Sequence, residues 1–159
     1  MATIGFHQHD HSHCIATALS QAESKCAERK LQFTPARRRV LEILLEKHRA
    51  MGAYEILDIL AAEGIGSQPP VVYRALDFLV QHGFVHRIER LNAYTACAHP
   101  TRDHVPAFLV CRQCKAVAEA ETELTQGRLG IAAGKTGFHI ERIVVEAEGL
   151  CPDCAGAQA

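Results

Sequence analysis

No apolar stretch in this 159-residue sequence approaches the roughly 18 consecutive residues that a helix needs to cross a bilayer. The opening run MATIGFHQHDHSHC is polar and histidine-rich and lacks the basic-then-apolar order of a secretory leader. The expected compartment is therefore the cytoplasm, with no membrane partner. Charge of either sign is not in excess: 17 Lys and Arg stand against 18 Asp and Glu, a formal net charge of −1. Any contact with nucleic acid must then rest on a local face rather than on bulk attraction. Also missing are a His-Glu-x-x-His motif, a nucleophile beside a base, and a metal shell with a position left open for water. Those absences argue against a zinc enzyme or a thiol oxidoreductase. With 48% hydrophobic and 22% charged residues, the composition is that of an ordinary globular chain.

What the sequence has in unusual number is cysteine. There are seven, an odd count, and four form two Cys-x-x-Cys pairs. A secreted disulfide scaffold would carry an even set, so in a reducing compartment the pattern points to metal or thiol chemistry. Cys111 and Cys114 form one pair, Cys151 and Cys154 the other. Two residues between cysteines let both thiolates reach one ion from a tight knuckle, and two knuckles complete the tetrahedron Zn²⁺ accepts. Four thiolates leave no open position, so the expected ion is structural. The alternative is a pair of redox dithiols or core cysteines. A second group of donors, His86, Cys97, His99, His104 and Glu119, mixes nitrogen, sulfur and oxygen in a way that suits Zn²⁺ better than Mg²⁺ or Ca²⁺. Spacing alone leaves each of these histidines open to a plain surface or core role.

Periodicity organises the chain into an α+β protein of two domains. Residues 1–14 read as a mobile tail with alternating His7, His9, His11 and His13 followed by Cys14, a tract able to catch metal weakly. Residues 15–97 read as a winged-helix domain. A helix is expected over Ile15–Leu31, with Cys26 as a small buried hydrophobe. Thr34-Pro35 signals the next helix by N-cap and first-turn proline, with Val40, Leu41, Leu44, Leu45 and His48 as its inner stripe. A third helix follows Gly52 and buries Ile56, Leu57 and Leu60. The fourth opens at Ser67–Pro70 and stops at Gly83. At about 100° per residue, Val71, Ala75, Phe78, Leu79 and His82 share its inner side, opposite Tyr73, Arg74, Asp77 and Gln81. Phe84–Ala98 then reads as a two-stranded ribbon turning at Leu91-Asn92.

A hinge is expected over 98–105 and a small α/β dimerisation domain over 106–159. Its strands are expected at Ala107–Cys111, Ala116–Ala120 and Phe138–Glu148. A helix weakened by Gly127, Gly130 and Gly134 is expected over Glu121–Lys135. So small a sheet exposes much of itself, which predicts pairing with a second copy. His48, His82 and His139 have no paired donor and read as structural.

The run Pro70-Val71-Val72-Tyr73-Arg74, then His82-Gly83-Phe84-Val85-His86, then the two cysteine pairs, resembles the ferric uptake regulator family over roughly residues 20–155. Within it the zinc-uptake branch is the better match, because Cys97 follows Tyr94-Thr95-Ala96. The His-rich run typical of iron and peroxide sensors is here reduced to Arg102-Asp103-His104. The resemblance implies a structural zinc at Cys111, Cys114, Cys151 and Cys154, and a sensing zinc at His86, Cys97, His104 and Glu119, with His99 and Asp103 as reserve ligands. It implies a homodimer that binds operator DNA when the sensing site is filled and shuts off zinc-uptake genes. A sensor of iron, or after it manganese or nickel, is the alternative within the family. For DNA, Tyr73 and Arg74 on the fourth helix are the expected readers. Arg74 suits the two acceptors of a guanine edge. Tyr54 and Arg37, Arg38 and Arg39 would lie near the phosphates, although the arginine run reads equally as a solvated helix start.

Overall fold

A computed structural model of the chain describes residues 12–47, 49–98, 100, 105–121 and 127–157. His7, His9, His11, His48, His99, Arg102, Asp103 and His104 lie outside the described residues. Helix α1 spans Ser12–Glu28, and α2, α3 and α4 span Pro35–Glu46, Ala53–Ala62 and Pro69–Gln81. Helix α1 thus begins within the stretch read as tail and ends earlier than Leu31. It stops because Lys30 takes a positive φ of 55°, and Leu31 N–H then closes on Cys26 O at 2.8 Å. Its buried residues Leu19, Ala22 and Cys26 fall at helical spacing on one face.

Thr34 and Pro35 start α2 as expected, with Thr34 Oγ1 accepting a long hydrogen bond from Arg37 N–H at 3.4 Å. Helix α4 begins on two prolines and ends at Gly83, whose φ of +78° is the left-handed conformation that favours glycine. It buries Val72, Ala75, Leu76, Phe78 and Leu79. Two residues assigned to its inner side, Val71 and His82, are only half-buried, so the apolar stripe is rotated slightly from the expected one. Val40, Ile43, Leu44, Ile56, Leu60, Leu76 and Leu79 form the centre of the core. Each such side chain withdrawn from water contributes about 1.5–3 kcal/mol.

Strands β1 (Val85–Ile88) and β2 (Ala93–Ala96) pair antiparallel around a single 3₁₀ turn at Glu89–Leu91, and Asn92 makes the reversal at φ 47°. Met51 bridges Tyr94 in both directions, which adds a one-residue third rung to this wing. Strands β3 (Pro106–Cys111), β4 (Val117–Glu121) and β5 (Val145–Gly149) form a separate sheet ordered β4-β3-β5, with β5 parallel to β3. Helices α5 (Arg128–Thr136) and α6 (Pro152–Gly156) complete the chain.

Two expectations for the second domain need correction. The last strand is confined to Val145–Gly149, the five residues that pair with Ala107–Cys111 of β3. Phe138 and Val144 remain exposed outside the sheet. Glu121 closes β4 rather than opening a helix, and α5 starts only after Gly127. The short α6 behind Cys151 was not foreseen. The two units meet through a small apolar cluster in which Ile88 and Ala93 of the wing pack on Phe108, Val110 and Val117 of the sheet.

Candidate metal centres and nucleic-acid interface

The crossover from β3 to β5 explains how cysteines 37 residues apart meet. Parallel pairing sets Cys111 opposite Gly149, two residues before Cys151, and Arg112 N–H fastens to Gly149 O at 2.9 Å. Cys114 sits in the tight turn after β3, where Lys115 adopts a left-handed φ of 63° and its N–H returns to Cys111 O. Cys151 is the N-cap of α6, which carries Cys154. All four sulfurs lie within 4.8 Å of one another. The Cys114–Cys151 separation is 3.7 Å. That is far beyond a disulfide, at about 2.05 Å, and close to the ~3.8 Å edge of a tetrahedron with 2.3 Å metal–sulfur bonds.

The thiols also divide electrostatically. Burial works to raise Cys111, but the backbone N–H groups of Cys114, Cys151 and Gln113 outweigh it and bring the thiol down to about 6. Cys154 is pushed up to about 12, chiefly by its contact with Cys151, with burial adding to it. The thiolate forms readily at Cys111 and is resisted at Cys114 and Cys154, which is what a cluster short of positive charge does. A divalent cation supplies the missing charge, so the donor set fits the ion that the spacing suggests.

The second group is assembled across the two units. His86 projects from β1, Cys97 follows β2 with its N–H on Phe84 O, and Glu119 lies on β4. Their ligand atoms fall within 4.8 Å of one another. His86 Nε2 is 3.4 Å from Glu119 Oε1, and Cys97 Sγ is 3.9 Å from the same oxygen. The other carboxylate oxygen accepts from Ala98 N–H at 2.9 Å. Glu119 is 6% exposed, the one buried charged residue among those described. A carboxylate is costly to bury without compensation, so its place beside an imidazole and a thiol suits a cation. His104, the fourth expected ligand, lies outside the described residues. A cavity of about 470 Å³ between α1, α2 and the wing is lined by Cys97 and Glu119 and also by His13 and Cys14.

On the outer face of α4, Tyr73, Arg74, Asp77 and Gln81 are exposed together, and Tyr54 stands 64% exposed at the start of α3. The arginine run is less available than its sequence suggests. Arg37 stacks over the Phe78 ring, Arg38 pairs with Glu23, and Arg39 is shared among Glu42, Glu46 and Glu63. Arg39 thereby ties α2 to the end of α3. Each arginine of the run that sequence alone left open between phosphate contact and solvated helix start thus has a partner within the protein.

Comparison with known proteins places these sites in context. A model of the ferric uptake regulator family matches residues 28–148. The zinc uptake regulation protein of Escherichia coli K12 is 40% identical over 144 residues, covering 89% of this chain and 83% of that protein. A zinc uptake regulator solved with zinc and DNA superposes with a TM-score of 0.85 at 38% identity, over 91% of this chain and 97% of that one. The regulator XcZur superposes at 0.78 in its holo form, at 38% identity over 88% and 98%. In its apo form it superposes at only 0.50, at 39% identity over 89% and 97%.

Proposed function

The chain belongs to the ferric uptake regulator family, and from that premise we propose that it is a dimeric, zinc-responsive repressor acting in the cytoplasm by binding rather than by turnover. The observation that carries the reading is the sharing of one donor group between His86 and Cys97 of the reading domain and Glu119 of the sheet domain. The unequal likeness to the holo and apo forms of one relative, at nearly equal identity, supports it: this chain superposes better on the holo form.

Cys111, Cys114, Cys151 and Cys154 hold the structural zinc, and His86, Cys97, His104 and Glu119 hold the sensing zinc. When bound, the sensing ion supplies a positive centre that neutralises the Cys97 thiolate and the Glu119 carboxylate. The protein side of the mechanism is geometric. His86 and Cys97 leave the wing at its base, so fixing them to β4 fixes the orientation of α4. Residues 15–97 then move as a reading head about the connection at 98–105, and residues 106–159 serve as the dimer core. Leu129, Phe138 and Val144, which line one shallow groove, leave apolar surface of that core exposed for a second copy. In the dimer, two α4 helices address successive major-groove faces, with Arg74 directed at a guanine edge, and Tyr73 and Tyr54 beside it on the backbone or a thymine methyl. Of the conformers available to two free heads, few match both half-sites, so restricting the heads raises affinity.

The test is binding to DNA from the protein's own zinc-uptake promoter, with and without added zinc. A coupling of about 1–3 kcal/mol corresponds to a gain of about 5- to 150-fold. Equal affinity in the two conditions refutes the sensor reading.

A further inference from the structure

One cross-strand row of the second sheet carries Glu119 on β4, Phe108 at the centre and Glu146 on β5. Residues paired in this way share a face, and this face meets the wing: Phe108 is buried against Ile88, and its ring lies 5.2 Å from that of His86. Glu119 at one end receives the Ala98 N–H at the base of the wing. Glu146 at the other end does the same at the tip, its two oxygens accepting from Glu89 N–H at 2.6 Å and Arg90 N–H at 3.0 Å. Around it, Arg90 contacts both oxygens of Glu148 at 3.1 and 3.2 Å, and Arg142 reaches Glu89 at 2.9 Å.

We propose that Glu146 is a positioning residue, a second grip on the reading head that fastens the tip of the wing to β5 and favours the arrangement in which the sensing ligands converge. The proposal rests on the repressor reading and deepens it. The flanking ion pairs are exposed and individually weak. The Glu146 contact differs, because its donors are two successive backbone N–H groups already fixed by the 3₁₀ turn, and charge-assisted bonds to such donors are the stronger class. Opening the head breaks both grips together. The latch therefore lowers the cost of assembling His86, Cys97 and Glu119, and linkage requires zinc affinity and latch integrity to move together. Glutamine at position 146 offers one acceptor where two donors need satisfying, and carries no charge.

The experiment compares the wild-type chain with Glu146→Gln, using zinc chloride against a chelator in the absence of DNA, with the four-cysteine site already filled. The sensing site of the variant should bind zinc about fivefold more weakly. Amide exchange at Glu89 and Arg90 should accelerate in the variant while the melting temperature stays close to that of the wild type. Zinc affinity within twofold of the wild type overturns the proposal, whether or not the variant is less stable. If zinc leaves wild-type operator affinity unchanged, the repressor reading fails, while the chelator titration and amide exchange still decide the latch.

Discussion

Replacing Glu119 with glutamine separates what this carboxylate does for the fold from what it does for a cation. The Glu119 side chain is 5% exposed and accepts from Ala98 N–H at 2.9 Å. The glutamine carbonyl can keep that bond. Exchanging a charged for a neutral acceptor costs about 1 kcal/mol, and relief from burying an ionised group offsets it. The net change in metal-free stability should stay within about 1 kcal/mol. Toward zinc the same change removes the anionic ligand that lies 3.4 Å from His86 Nε2 and 3.9 Å from Cys97 Sγ. Losing even an outer-shell partner costs 10- to 100-fold in metal affinity. Loss of a direct ligand should reach at least the upper figure, about 2.7 kcal/mol. Chelator competition, thermal unfolding with and without zinc, and operator binding would follow the effect. The variant should unfold like the wild type without zinc, gain little from it, and fail to respond on DNA. A variant that binds zinc as tightly as the wild type refutes the assignment of Glu119 as a ligand.

Three further outcomes are expected. Arg74→Ala should weaken operator binding by about 1–3 kcal/mol with stability changed by less than about 0.5 kcal/mol, because its side chain is exposed on α4; a competition assay and a melt decide. Phe138→Asp, at a site 67% exposed in the monomer, should shift sedimentation from dimer to monomer, and an unchanged dimer would exclude this edge from the interface. Burial, and after it Arg29, Arg37 and Lys25, hold the His82 imidazole below its usual 6.5. The unfolded chain therefore takes up this proton first, and stability falls as pH drops from 6.5 toward the folded value. His82→Gln should lose less stability than the wild type between about pH 8 and pH 6, measured by denaturant unfolding; an equal loss would assign the acid sensitivity elsewhere.

The helical half of the fold was legible because its signals are local. Thr34-Pro35, Gly52 and Gly83 mark helix ends, and the apolar period placed Ala75, Phe78 and Leu79 inside and Tyr73 and Arg74 outside. The four-cysteine group was legible for the same reason, since spacing within each pair encodes a knuckle. Features set by pairing between distant segments were not. The length of β5 depends on its pairing with Ala107–Cys111 of β3, and the engagement of Arg39 depends on Glu63 at the end of another helix. The convergence of His86, Cys97 and Glu119 came from a resemblance, because no local spacing links two strands and a strand exit in two sheets. Glu146 carried no signal at all: a glutamate alternating along a strand reads as a solvated side chain until the wing is seen against it.

The proposed regulation turns on a single ion held by donors from both domains, and zinc-edge X-ray absorption during stepwise loading tests that directly. The first equivalent per chain should show a shell of four sulfurs, and the second should add one sulfur with three nitrogen or oxygen ligands. A second equivalent that brings no sulfur would leave Cys97 outside the sensing site and contradict the account.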